Sequence, residues 1–476
     1  MSNEKSYKKE ISLLRISIPF FFMVAINFIA PVINTLVVSV VPNNGAIFAE
    51  AVGVSSQISS MFSTLMVFAT GGIGIIVGQL IGKKIEVSEI QNSIQTLVII
   101  AFVFSLIIYT LCAALFPAIL LAYLKFGSEQ YVNALKYGEL ISLTIIISTF
   151  TGALSTCINS YGYSNLSSMT SILTILSDVS LTLIFVLVAN IGVIGSALGT
   201  VISQILNLGV ILMIFLKKVM VFRVKTFYFD KDILKKIIRV SAPISAEKIN
   251  FTFSSLVMGI LIAQMGMKFS GTFIDPESGT NFLNLSRTMI MTFSNFICIA
   301  SIALSIGVEI IISRDIGSSN YEKARKEIKK SFAIALFFDV ILAIALVFLR
   351  GPIIEFFAIG PNQIVIDNKE LLANLIFVPL ILMIFLQIGR TSNIIFLSGV
   401  RPSGNLKSNM IFSISITWLS VLVGFIVGYI LLSENPNSFT FGVNGIFFAM
   451  ALDEMFRGLA NFVIWKRGKW MKKSLF

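Results

Sequence analysis

A chain of 476 residues that is 56% hydrophobic and only 13% charged has too few polar residues to cover a soluble core of its size. Its mean hydropathy is +0.91, and it has no histidine, so the commonest metal ligand and the usual proton shuttle near neutral pH are both missing. Its net charge of +12 is divided among short loops, which excludes a continuous nucleic-acid face, and Cys112, Cys157 and Cys298 all fall in apolar runs, which argues against a disulfide framework or a thiol metal site.

Apolar runs between polar breaks predict twelve transmembrane helices, near 11–41, 51–81, 93–124, 132–158, 166–189, 193–216, 240–266, 286–313, 331–349, 371–397, 409–432 and 442–465. The first is too long for a signal peptide and lacks a small-residue cleavage site, so it is read as span one. Segments on one side (1–10, 82–92, 159–165, 217–239, 314–330, 398–408 and 466–476) hold 26 of the 36 lysines and arginines. The opposite loops hold only Lys125, Lys268, Arg350 and Lys369. The positive-inside rule then places both termini in the cytoplasm of a chain crossing the plasma (inner) membrane. The net charge reads as topology and attraction to anionic membrane lipid, with no nucleic acid as partner.

The two halves echo each other. "LLRISIPFF" (13–21) and "IIRVSAPIS" (237–245) open the first and seventh spans. "IIVGQLIG" (75–82) matches "IIISRDIG" (310–317), and "GVIG" (192–195) matches "GVNG" (442–445), in the same order. Six spans per half is even, so both halves enter from one side, as parallel repeats do, with a site expected between them. The division is residues 1–216 and 240–476, joined by a basic linker at 217–239. Pro19 and Pro243 are expected in the first turns of their spans, where a missing N–H costs least. "GVIG" and "GVNG" are expected to join spans five to six and eleven to twelve.

"GQLIGKK", "IGVIGSALGTVISQ" (191–204), "FLSGVRPSGN" (396–405) and "WKRGKW" (465–470) together resemble the multidrug and toxic compound extrusion (MATE) transporters over nearly the whole chain. The resemblance implies twelve helices in two six-helix lobes, alternating access, and export of amphipathic, cationic compounds against entering protons or sodium. A lipid-linked oligosaccharide or polysaccharide flippase of the same superfamily would share this architecture, so the cargo stays open between the two. The working unit is expected to be a single chain.

Ionisable groups within spans are costly and mark function by default. Asp178, in "LSDVSLTLIF", has no basic residue in its span. It falls where the MATE pattern N-x-x-x-D has Asn, Thr182 falls where that pattern has Asp, and Asn34 stands where the family usually carries a cation-site Asp. The chain thus departs from the family twice, keeping one carboxylate but moving it one helical turn, and Asp178 is read as the coupling acid with Asn34 and Thr182 as neutral partners; a structural carboxylate is the alternative. Asp339, central in span nine, is the second candidate, with a local structural role as its alternative. Asp453 and Arg457, four residues apart, are expected to pair on one helix face. Glu247 and Lys248 are read as interfacial at the start of span seven, and Glu309 as interfacial near the end of span eight.

The absence of an acid in span ten, where sodium-coupled relatives often carry one, tilts coupling toward protons. Forty-two phenylalanines suit lipid-facing helices even better than a cargo cavity. "TGGIGIIVG" (70–78) lacks the Lys and Ser/Thr of a phosphate loop and reads as close helix packing. No cofactor and no catalytic residue is expected, and an integral-membrane enzyme is disfavoured because the acids are scattered. The driving force is then an ion gradient or that of the cargo.

Overall fold

The computed structural model describes residues 12–39, 41, 45–121, 124, 126–220, 228–268, 281–357, 367–404, 406–431, 436–472 and 475. The basic segment 1–10, Lys125 and Phe476 lie outside the described residues, as does 221–227 of the expected linker. Apolar runs with no polar alternation leave the backbone one way to satisfy its own hydrogen bonds in lipid, the α-helix. Twelve long helical segments result: α1 (Leu13–Ser39), α2 (45–82, in pieces Gly45–Leu65, Val67–Thr70 and Ile73–Gly82), α3 (Val87–Leu120), α4 (Glu129–Ser160), α5 (Ser164–Val188), α6 (Val193–Met220), α7 (Lys231–Lys268), α8 (Phe282–Ile297 and Ile299–Gly317), α9 (Tyr321–Phe348), α10 (Lys369–Val400), α11 (Lys407–Val423, continued by Gly424–Leu431) and α12 (Pro436–Arg467). Among the described residues nine helices are long and apolar enough to cross a membrane, and α8, bent by 43° at Cys298, makes a tenth.

Helices α1–α6 pack chiefly among themselves, and so do α7–α12, with the α10–α12 pair the most extensive. That pair crosses at glycines: a Cβ on Gly389 would lie 2.4 Å from the Met455 nitrogen, and one on Gly458 2.4 Å from the Gly389 oxygen. Two readings of the sequence need correction, and the expected linker is partly helical. The 217–239 segment is helical at both ends, because Ile233, Ile237 and Val240 recur at helical spacing and are buried while Lys231, Lys235 and Arg239 stay exposed. Pro243 in consequence sits in about the fourth turn of α7, and Pro19, counted from Leu13, in about the second turn of α1, not the first. "GVIG" is a true turn, with Gly192 at φ +65°, but "GVNG" lies inside α12. There Gly442 and Gly428 let α12 and α11 touch, each hypothetical Cβ falling under 3 Å from the other's carbonyl oxygen.

The two groups meet at the end of the bundle that carries the basic loops. Gly78 of α2 faces Ser313 of α8, Gly82 faces Arg314 and Gly317, and Gly307 of α8 faces Ser17 of α1. The glycine stretch of α2 is thus a packing seam, as its composition predicts. Arg314 donates to the Ser160 carbonyl across the same boundary, with Nε at 3.0 Å. Apolar clusters that mix the groups lie at this basic end, for example Leu13, Ile16 and Phe20 with Ile311 and Phe396. Toward the opposite end each group has its own core, Val38–Ile58–Tyr137 in one and Ile262–Ile290–Phe447 in the other.

Candidate functional site

Asp178 sits where three helices of the first group converge. Its Oδ2 accepts from Asn34 Nδ2 of α1 at 3.0 Å, and its Oδ1 accepts from Thr200 Oγ1 of α6 at 2.8 Å. Thr182, one turn further along α5, is fully buried, and its hydroxyl acts on the same carboxylate. Gly199 brings α6 this close: a Cβ there would fall 2.8 Å from Thr182 Oγ1. Tyr137 of α4 is buried against the same group. Every partner is neutral, and no cation acts on the carboxylate among the described residues. The arrangement holds one acid on neutral donors that bind its charged form and cannot titrate in its place.

The structure therefore brings together Asn34 and Asp178, with Thr182 alongside. Thr200 was missed as a site residue, although it lies in the quoted "IGVIGSALGTVISQ" stretch; its place on α6 opposite Asp178 is a fact of packing. Asp339 is in the other group, wholly buried, with Oδ2 accepting from Ser301 of α8 and from Thr391 Oγ1 of α10 at 2.6 Å. Its Oδ1 has no hydrogen-bond partner.

The Asp453–Arg457 pair forms, with Nε to Oδ1 at 3.1 Å, but it is one edge of a larger network. Glu454 lies 3.1 Å from Arg457 and 3.3 Å from Arg390 of α10, and accepts from Asn393 at 3.1 Å. Thr417 of α11 donates to Asp453, and Arg390 donates to Ser294 of α8. Two guanidiniums thus face two carboxylates, and Arg390, Asp453 and Glu454 line a small cavity of about 30 Å³ together with Ser255, Met258 and Met291. Glu454 and Arg390 could be linked only in three dimensions, since they stand 64 positions apart. Glu309 pairs with Arg401 at 3.8 Å, and Glu247 accepts from Ser413 at 3.0 Å. Because α7 starts early, Glu247 and Lys248 lie about four turns into it, not at its mouth.

A bundle of twelve long, mostly apolar helices in two groups, closed against each other at one end, defines a multi-pass membrane transporter. The MatE family model matches residues 19–184 and 287–430, and the chain belongs to that family. An uncharacterised transporter of Bacillus subtilis, YisQ, is 25% identical over 99% of this chain and 97% of its own length. The probable multidrug resistance protein NorM of Thermotoga maritima is 24% identical over 60% of this chain and 55% of its own. Among solved structures, a MOP superfamily transporter of Pyrococcus furiosus, described as having a binding pocket of reverse polarity, has the same fold with a TM-score of 0.82 at 14% identity, covering 100% of this chain and 99% of its own. An outward-facing multidrug resistance MATE transporter fits with a TM-score of 0.77 at 14% identity, over 99% of both chains.

Proposed function

We propose that this chain is a secondary active exporter in which residues 1–216 and 240–476, joined through 217–239, open alternately to the two faces of the plasma membrane. Its basic end faces the cytoplasm, and one copy suffices for transport. The cargo is an amphipathic organic compound exchanged for protons, with sodium the less favoured ion. The observation that carries this reading is Asp178, a carboxylate among helices with only neutral partners. Ionised, it attracts a cationic cargo; protonated, it releases one. Competition between a proton and a cation for one group couples their opposite movements when each favours a different arrangement of the two halves. Asp339, held by two hydroxyls in the second group, is the next candidate for the same role.

Two cations favour a second reading. Lys248 of α7 has Arg401 as its charged neighbour, and Arg287 of α8 donates to the Ser255 carbonyl at 2.9 Å; among the described residues no carboxylate acts on either. Cations without a carboxylate partner suit an amphiphile with an acidic head, as a lipid-linked sugar carries. Inside-out vesicles under an imposed proton gradient, then a sodium gradient, separate the two. Movement of a cationic dye that follows the gradient and disappears in Asp178→Asn supports drug export. No dye movement under either gradient overturns it in favour of the flippase.

A further inference from the structure

Gln79 is completely buried in α2, in the "GQLIGKK" stretch, and its side chain reaches into the other group of helices at two points. Its Nε2 donates to the carbonyl of Pro402, in the short 3-10 turn Arg401–Ser403 after α10. Its Oε1 accepts the backbone N–H of Leu475 at 3.1 Å. Leu475 arrives there because the chain turns back after α12. Gly468, at φ +66°, ends the helix, and the 3-10 turn Lys469–Lys472 follows. Trp470 is buried in that turn, its Nε1 donating to the Trp465 carbonyl at 2.9 Å.

The Leu475 side chain packs where both groups converge. Its apolar surroundings are Ile75 of α2, one turn before Gln79, with Val240 and Ile244 of α7 and Leu406 before α11. Gly404, at φ +69°, makes the room: a Cβ there would fall 2.5 Å from Leu475 Cδ2. Ile75 and Gln79 belong to the first group, whereas Val240, Ile244, Pro402, Gly404 and Leu406 belong to the second. These contacts exist only while α2 lies against α7, α8 and the 401–406 turn.

We propose that Leu475, docked on Gln79 and on the Ile75–Val240–Ile244–Leu406 cluster, is a latch that holds the two groups closed at the basic end. Separation of that end takes Gln79 away from Pro402 and Leu475 and removes the Ile75 wall from Leu475. A contact made in one arrangement and lost in the other shifts the population by its differential free energy. The latch thus favours the arrangement seen here and slows opening toward the basic side, independently of which cargo or ion is moved.

The test uses the full chain in lipid nanodiscs with spin labels at Lys83→Cys and Glu322→Cys, both exposed at the basic end on opposite groups, the three native cysteines being buried. The label separation in the otherwise unchanged chain is expected to be mainly short. Leu475→Asp and Gln79→Leu are each expected to raise the ratio of long to short separations about tenfold, the effect of losing one hydrogen bond or one small apolar contact. Leu475→Met, which keeps the apolar contact, should retain the parent distribution. Leu475→Gly removes the contact without adding charge and decides the matter if either of the first two variants fails to fold. Folded variants with the parent distribution overturn the latch. Because the readout is a distance, that result leaves the exporter reading standing, and failure of the Asp178 reading leaves the latch standing.

Discussion

Asp178 in the first group and the Arg390–Glu454–Arg457–Asp453 network in the second are both acids placed within spans, but they solve opposite problems. In the network two guanidiniums meet two carboxylates, so each charge is answered and the group is fixed. At Asp178 the partners are an amide and the hydroxyls of Thr200 and Thr182, so the charge is solvated but not cancelled. A cancelled charge holds helices together; an uncancelled one remains free to exchange a proton or a cation. The difference teaches that an acid within a span is the stronger coupling candidate the less a cation acts on it: Asp178 has none, whereas Arg390 acts on Asp339.

The same chemical change should therefore have opposite consequences in the two regions. Glu454→Gln leaves Arg390 and Arg457 short of one counter-charge in a buried site, and should destabilise the protein by about 3 kcal/mol or more, read as a fall in thermal midpoint and in folded yield. Asp178→Asn removes a charge that has no counter-ion, so its thermal midpoint should stay level or rise while gradient-driven efflux from vesicles is abolished. A Glu454→Gln protein as stable as the parent would dissolve the distinction between the two regions.

Smaller changes sharpen it. Gly199→Ala drives a methyl into Thr182 and should cost about 1–3 kcal/mol of stability, visible by thermal unfolding, while Asp178 remains intact. Thr200→Val removes one donor to the carboxylate and should slow efflux about tenfold, with Thr200→Ser restoring it; equal rates for all three would remove Thr200 from the site. Asp339→Asn should have the least effect on efflux, below about twofold, because the Ser301 and Thr391 hydroxyls can donate to an amide oxygen as they do to a carboxylate. A large loss there would make Asp339 a second coupling group.

The twelve helices were legible in the chain because a long apolar run has one stable form in lipid and does not depend on its neighbours. Their ends were less legible. The start of α7 lies before the expected boundary because an amphipathic turn, Lys231–Arg239, carries charge and still buries Ile233 and Ile237. "GVNG" looked like its partner "GVIG", yet glycines serve turns and helix crossings equally, and only the position of α11 decided between them.

At the site, the sequence by itself determined that Asp178, Asn34 and Thr182 are polar groups within apolar spans, which follows from the cost of polar atoms in hydrocarbon. That Asn34 and Asp178 share a hydrogen bond across 144 positions, that Thr200 completes the carboxylate's shell, and that Glu454 joins Arg390 to Arg457 were decided by tertiary structure alone. Hydropathy is a property of each segment and survives in the one-dimensional order of residues. Which helix faces which, and so whether a buried charge is cancelled or left open, depends on how small residues such as Gly199, Gly389 and Gly458 let the helices approach.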